Sequence, residues 1–177
     1  PYLLELESIF DPSPYLFADI ELITQWNEVL GRKNRPRIGI SWQGNPAYEA
    51  DYQRSIPLFY LYPLISNNNY QFVSLQQGFG SEQLIDIPNP ITVLGEAVDK
   101  VAAFVDTAAI VANLDLVITS DTAVAHLVGA LGMPVWLLLP KTPDWRWLLN
   151  KKTSPWYSSM KVFRQKKPGR WEEVINE

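Results

Sequence analysis

The sequence predicts an α/β fold: a doubly wound, mostly parallel, Rossmann-like sheet with helices on both faces. Three observations carry this. Short strands that read as apolar on both faces recur along the chain, and segments of helical periodicity separate them. Of the 177 residues 47% are apolar, enough to bury one good core.

The first element stands before Arg35. Pro12 and Pro14 interrupt the chain, and then Ile20, Ile23, Trp26 and Leu30 recur at helical spacing up to Gly31. This predicts a helix over Asp19–Leu30, a linker over Gly31–Pro36, and hence a division into an amino-terminal piece, 1–36, and a main domain, 37–177. Within the main domain Arg37–Trp42 (RIGISW) reads as a strand, Pro57–Ile65 as a helix and Gln71–Leu75 as a strand. A turn with a short helix follows around Ser81–Ile85, then a weak strand near Ile91–Leu94. Phe104–Asn113 is predicted helical, Leu116–Thr119 a buried strand, and Thr122–Leu131 a helix closed by Gly132. Pro134–Leu139 is the next strand. An aromatic loop over Pro143–Tyr157 leads to a last strand, Met160–Arg164, and a last helix, Arg170–Asn176.

Bulk properties narrow the function. The net charge of −4 and the lack of any long basic run disfavour a nucleic-acid partner. Without cysteine there is no disulfide, thiolate metal site or cysteine nucleophile. No apolar run approaches the roughly 20 residues of a transmembrane segment, and the opening PYLLELESIF lacks a basic region or a methionine. The expectation is a cytoplasmic chain excised from something longer.

A doubly wound sheet binds ligands beyond the carboxyl ends of its strands, where strand order reverses. The loops leaving the strands are SWQGN, LQQGFG, TSDTA and LPKTPDWRW. A helix beginning at Thr122 presents unpaired N–H groups and a positive dipole end, which favours an anion such as phosphate. Val124, Leu127, Val128 and Leu131 form the stripe expected to face the sheet. That places Thr122 and His126, the chain's only histidine, on the opposite side beside Ala123, Gly129 and Ala130. His126 is then read as facing a ligand, against the alternative of packing under a loop, and Asp121 as a carboxylate cap. In Ser41–Asn45, Gly44 allows close backbone approach while Ser41, Gln43 and Asn45 offer hydrogen bonds. Arg54 is either a bidentate phosphate clamp or a solvated arginine. Gly78-Phe79-Gly80 imitates a dinucleotide fingerprint, but Gln83 stands at the third glycine position, so a tight turn is favoured and Gln76 and Gln77 remain free to reach a base or ribose. Trp145, Trp147, Trp156 and Tyr157 read as staples holding a loop onto the sheet rather than as a stacking platform. The chain has no Asp-x-Asp pair, GxSxG elbow, Walker loop or histidine pair.

Together these residues resemble the carboxyl-terminal half of two-domain, GT-B type glycosyltransferases of the heptosyltransferase-like family 9 group. The form closest in look is the bacterial one in which that half follows tetratricopeptide repeats. The matching pieces are RIGISWQGNPAYEADYQRSIPL, FVSLQQG, VDTAAIVANLDLVITSDTAVAHLVGALGMPVWLLLP, DWRWLL and SPWYSSMKVFRQ, in the family's order and covering nearly everything after Arg35. The resemblance implies a nucleotide diphosphate sugar bound in an interdomain cleft as substrate, with neither metal nor cofactor. It implies that Ser41, Gln43, Gly44 and Asn45 cover the donor and that Arg54 meets the diphosphate. Gln76 would lie near the nucleoside, and Asp121, Thr122, Ala123 and His126 would form the donor-binding turn and helix. Arg54 and His126 are the implied leaving-group stabilisers. Ala123 departs from the glycine of many heptosyltransferases. The implied partner is an upstream acceptor-binding half-domain, with tetratricopeptide repeats before it, so this piece alone is expected to be inactive. The competing reading is a non-catalytic scaffold that keeps the fold as a protein-binding surface. A nicotinamide-dependent oxidoreductase ranks lower because SWQGN, not a glycine fingerprint, follows the first strand.

Overall fold

The computed structural model describes residues 14–87 and 91–177. Its centre is a six-stranded sheet: β1 (Arg37–Ser41), β2 (Gln71–Ser74), β3 (Thr92–Val93), β4 (Leu116–Ser120), β5 (Val135–Leu139) and β6 (Met160–Arg164). Every neighbouring pair is parallel and the order is β3-β2-β1-β4-β5-β6. The predicted doubly wound, Rossmann-like sheet is therefore what the chain forms.

Alternation along the strands divides the core between the two faces. On one face Val73, Val117, Val135, Leu137 and Leu139 pack with Trp26 and Leu30 of α1 (Ile20–Leu30), with Ala109 to Val111 of α4 (Val105–Val111) and with Val128 of α5 (Ala123–Ala130). On the other, Ile38, Ile40, Ile118 and Leu138 pack with Leu58 and Leu61, with Ile65 of α3 (Tyr62–Ile65) and with Trp171 and Val174 of α6 (Trp171–Ile175). Gly39 allows the first of these layers to close, because a Cβ there would lie 2.6 Å from Leu114 Cδ1 and 2.8 Å from Leu75 Cδ1.

Three elements differ from the sequence reading. The helix expected over Pro57–Ile65 is a 3-10 turn, Leu58–Leu61, followed by the four-residue α3, since Pro63 lacks the N–H a longer helix would use. A short helix unforeseen in the sequence, α2 (Asp51–Arg54), follows the SWQGN loop. The helix read as standing apart, α1, is packed into the core: Trp26 Nε1 donates to Asp106 at 2.9 Å and Asn113 Nδ2 donates to the Ile23 carbonyl at 2.9 Å. Arg37, fully buried, ties α1 to the sheet through Asn27 and the carbonyls of Leu30 and Gly31. Pro12 lies outside the described residues.

The side assignment of α5 also changes. Ala125, Val128, Gly129 and Ala130 are its buried residues, while Val124 and Leu127 are only half-buried. Gly129 is not part of an open face, because the Tyr157 ring sits where its Cβ would be. Its smallness serves the docking of the aromatic loop. Gly129→Ala should thus cost about 1–3 kcal/mol through overpacking, outweighing its gain in helix propensity. Thermal unfolding followed by circular dichroism should show a fall of several degrees, and an unchanged midpoint would refute the close packing.

Candidate functional site

In a sheet of this order the connections from β1 and β4 leave toward opposite faces, and a crevice opens between them at the carboxyl edge. A hollow of about 660 Å³ lies there. Ser41, Gln43, Gly44, Asn45 and Arg54 line it after β1, Gln76, Gln77 and Phe79 after β2, and Thr122, Ala123 and Val124 at the start of α5. Val98, Asp99, Phe104 and Thr107, from the approach to and first turn of α4, complete it. Asp99 (φ 57°) and Phe104 (φ 66°) adopt the left-handed region at this rim, a strained conformation for side chains of their kind.

The floor is built from main-chain donors. Thr122 is extended (φ −134°, ψ 174°), so the helix proper begins at Ala123 and no side chain caps it. Ala125 N donates to the Thr122 carbonyl at 3.1 Å, so the N–H groups of Ala123 and Val124 are the ones at the open start of the helix, with its positive end behind them. The carboxylate cap expected of Asp121 does not form, because Asp121 ends the strand side of the turn and its side chain is buried near Trp147.

Arg54 supplies the charge. Its Nε donates to Asp51 Oδ1 at 2.9 Å and its guanidinium lies 4.8 Å from the Tyr48 ring centroid. Asp51 is 4% exposed and also accepts from Ser55 Oγ at 2.7 Å, so Arg54 is held, not solvated. Gly44 makes this possible: a Cβ there would overlap the Asp51 carboxylate and lie 2.7 Å from Arg54 Nη2. Asp51 was missed in the sequence. The signal was the acid three residues before an arginine on one helical turn.

Gln76 has a different role from the one expected. Its Oε1 accepts from Trp42 N and Gln43 N, both at 3.0 Å, and from Ser41 Oγ at 3.3 Å. Its Nε2 donates to the carbonyls of Gln43 at 2.9 Å and Phe79 at 2.7 Å. Every polar atom is thereby used to clamp the β1 loop to the β2 loop. Gln77 is exposed in the lining and keeps its side chain for a ligand. The Asn45 side chain closes a local turn on Ala47 N at 2.9 Å. Gly78 and Gly80 both have positive φ and form the tight turn anticipated for GFG.

Asp121 and His126 are not among the residues lining the hollow. The His126 ring stacks on Trp147 (centroids 4.9 Å apart, 26° between planes) and its Nδ1 lies 3.0 Å from Tyr157 Oη. The loop-packed alternative describes this geometry, and the aromatic residues staple the loop as expected: Trp147 is fully buried and Trp156 Nε1 donates to the Arg146 carbonyl at 2.7 Å. Burial lowers the His126 pKa below 6.5, partly offset by Asp121. Burial likewise raises the Asp121 pKa above 3.8, opposed by the Trp147 indole, Arg54 and His126. Trp147 Nε1 acts there without closing a hydrogen bond of normal geometry. The Tyr157 hydroxyl is raised by burial and by Tyr15, whose Oη is 3.5 Å away.

No family model matches the chain. Protein FlbA of Caulobacter vibrioides is 30% identical over an alignment of 171 positions that covers 91% of this chain and 27% of that protein. The chain therefore spans about a quarter of the length of this curated relative. The structure of Escherichia coli ADP-heptose LPS heptosyltransferase II superposes with a TM-score of 0.67 at 18% identity, covering 92% of this chain and 52% of that one. The family 9 glycosyl transferase from Veillonella parvula gives 0.63 at 15% identity, covering 88% and 44%. E. coli heptosyltransferase WaaC with ADP-2-deoxy-2-fluoro heptose gives 0.55 at 12% identity, covering 92% and 45%. The chain has the fold of one half of a GT-B glycosyltransferase. Among the described residues no helix is long and apolar enough to cross a membrane.

The buried pair generates a pH dependence with a definite sign. As pH falls through 6.5 the unfolded chain protonates its histidine before the folded chain does, so stability drops until the lowered folded pKa is passed. Asp121 acts oppositely: its ionisation costs stability, and the cost is relieved as pH falls toward 3.8. His126→Phe keeps the ring stack and should flatten the melting midpoint against pH just below 6.5. A variant with the wild-type slope there would exclude His126 as its source.

Proposed function

We propose that residues 37–177 are the donor-binding domain of a metal-independent glycosyltransferase, which moves a sugar from a nucleotide diphosphate sugar to an acceptor hydroxyl. The observation that carries this reading is the meeting, in one hollow at the strand-order reversal, of an uncapped helix start with an arginine held by a buried aspartate. The half-GT-B fold supports it.

Glycosyl transfer needs the departing diphosphate's charge stabilised, and preorganised donors do this without reorganising at the moment of reaction. The N–H groups at Ala123 and Val124 and the Arg54 guanidinium fill that role. Ser41, Gln43, Gly44 and Asn45 cover the donor, with Gln76 holding their backbone in place. Leu75, Val98, Phe79 and Phe104 give the hollow apolar walls that suit a base or sugar ring. Asp121 and His126 act at one remove, by fixing the β4–α5 turn against the aromatic loop.

The acceptor site and its catalytic base belong, in this reading, to an upstream half-domain of a cytoplasmic parent, with tetratricopeptide repeats before it. The chain alone binds donor and turns nothing over. Isothermal titration with a panel of nucleoside diphosphates and their sugars should give saturable binding for one base. Arg54→Ala should weaken it about tenfold to a hundredfold, the range of a charge-assisted phosphate contact. No saturable binding to any member, or binding indifferent to Arg54→Ala, would refute the assignment and leave a scaffold role for the fold.

A further inference from the structure

A second hollow, also about 660 Å³, opens beyond the carboxyl ends of β5 and β6 at the outer side of the sheet. Lys141 follows β5, Arg164 closes β6 and Lys166 comes two residues later. The aromatic loop adds Lys151 and Lys152, because Thr153 bridges Lys161 and Val162 N donates to the Lys152 carbonyl at 2.9 Å. Five cations thus converge on one hollow of a chain whose net charge is −4. Among the described residues Glu177 supplies the one acidic side chain in the lining, and Lys152 Nζ already holds it at 2.6 Å. Lys141 and Lys166 make no close ion pair among the described residues, although Lys166 lies within electrostatic reach of Glu177.

A second observation is independent of the lysines. Gln165 also lines this hollow and is 3% exposed. Its Oε1 accepts from Gly169 N at 3.3 Å, whereas its Nε2 is buried with no acceptor. Arg164 commits Nη2 to the carbonyls of Trp147 and Leu148, at 3.1 and 2.7 Å, while its Nε–H is buried with no acceptor. Buried donors without partners are rare, and a bound ion is among the ordinary reasons for them. Ammonium groups gathered at one hollow share one need, an oxyanion that accepts several hydrogen bonds at once. A tetrahedral phosphate, with two charges and acceptor lone pairs on three or four oxygens, suits this convergence better than a planar carboxylate.

We propose that the hollow at the ends of β5 and β6 is a phosphate-binding site, separate from the hollow at the start of α5. It takes inorganic phosphate or the phosphate monoester of a larger ligand. The site does not depend on the donor reading.

The test is titration of the 177-residue chain with inorganic phosphate and with glycerol 3-phosphate, followed by backbone amide shifts. Saturable shifts should cluster at Lys141, Gln165 and Lys166. Lys141→Gln with Lys166→Gln, both at exposed positions, should raise the Kd for phosphate about tenfold or more, with an unchanged melting midpoint in phosphate-free buffer. Arg54→Ala, which disables the other hollow, should leave phosphate binding here unchanged. Tighter binding of glycerol 3-phosphate supports a monoester as the occupant, and tighter binding of inorganic phosphate supports the free ion. The proposal fails if no saturable shifts occur at these residues. It fails equally if phosphate binding is lost with Arg54→Ala and kept in the lysine double variant.

Discussion

A parallel sheet sends every strand's carboxyl end to one edge, and both hollows of this chain follow from that constraint. The loops after β1, β2, β4, β5 and β6 must share that edge, and the reversal of order between β1 and β4 parts two of them. The crevice is therefore a by-product of winding, already present before any side chain is chosen. Side chains then decide what it can hold. The polar residues of the hollow lie in the loops and helix ends beyond the strands, while mid-strand residues such as Val117 and Leu137 are fully occupied with the core.

The crevice is stiff because its polar groups are matched to one another. Gln76 holds two loops with five hydrogen bonds, and Asp51 holds both Arg54 and Ser55. Asp99 is similarly engaged, accepting from Thr107 N at 3.0 Å. A loop ordered in advance loses less entropy when a ligand arrives, so these contacts add to affinity without touching the ligand. Removing such a residue would act on binding through the loop's freedom.

Much of this was legible in the sequence, and the gaps have identifiable causes. The parallel sheet with helices on both faces followed from apolar runs and helical spacing, because those patterns record burial directly, whereas the strand order came from the structure. Ser41, Gln43, Gly44, Asn45, Arg54, Thr122 and Ala123, singled out in the sequence, line the hollow, since loops after strands in such a sheet must meet there. Periodicity failed on α5 because Ala125, Gly129 and Ala130 are too small to register as a buried stripe, although they are the residues that lie against neighbours. Gln76 was misread because a sequence shows that an amide is present but not that the β1 loop already uses it. The same limit hid Asp51, whose partner Arg54 is adjacent in space through a four-residue helix with no apolar pattern of its own.

The acids around Arg54 set the final balance. Among the described residues Arg54 is the one cation lining the hollow, ion-paired with Asp51 and within electrostatic reach of Asp121. Were both carboxylates fully charged and exposed, they would compete with any anion for it. Asp121 lies outside the lining of the hollow, and burial raises its pKa above the ordinary carboxylate value. Asp51 remains the orienting partner through Nε, which leaves the terminal Nη atoms of the guanidinium fork for an oxyanion. His126, kept toward its neutral form by the same burial, adds little positive charge of its own at neutral pH. In the proposed reading, the attraction of this hollow for the donor diphosphate thus rests on one oriented guanidinium and the first turn of α5.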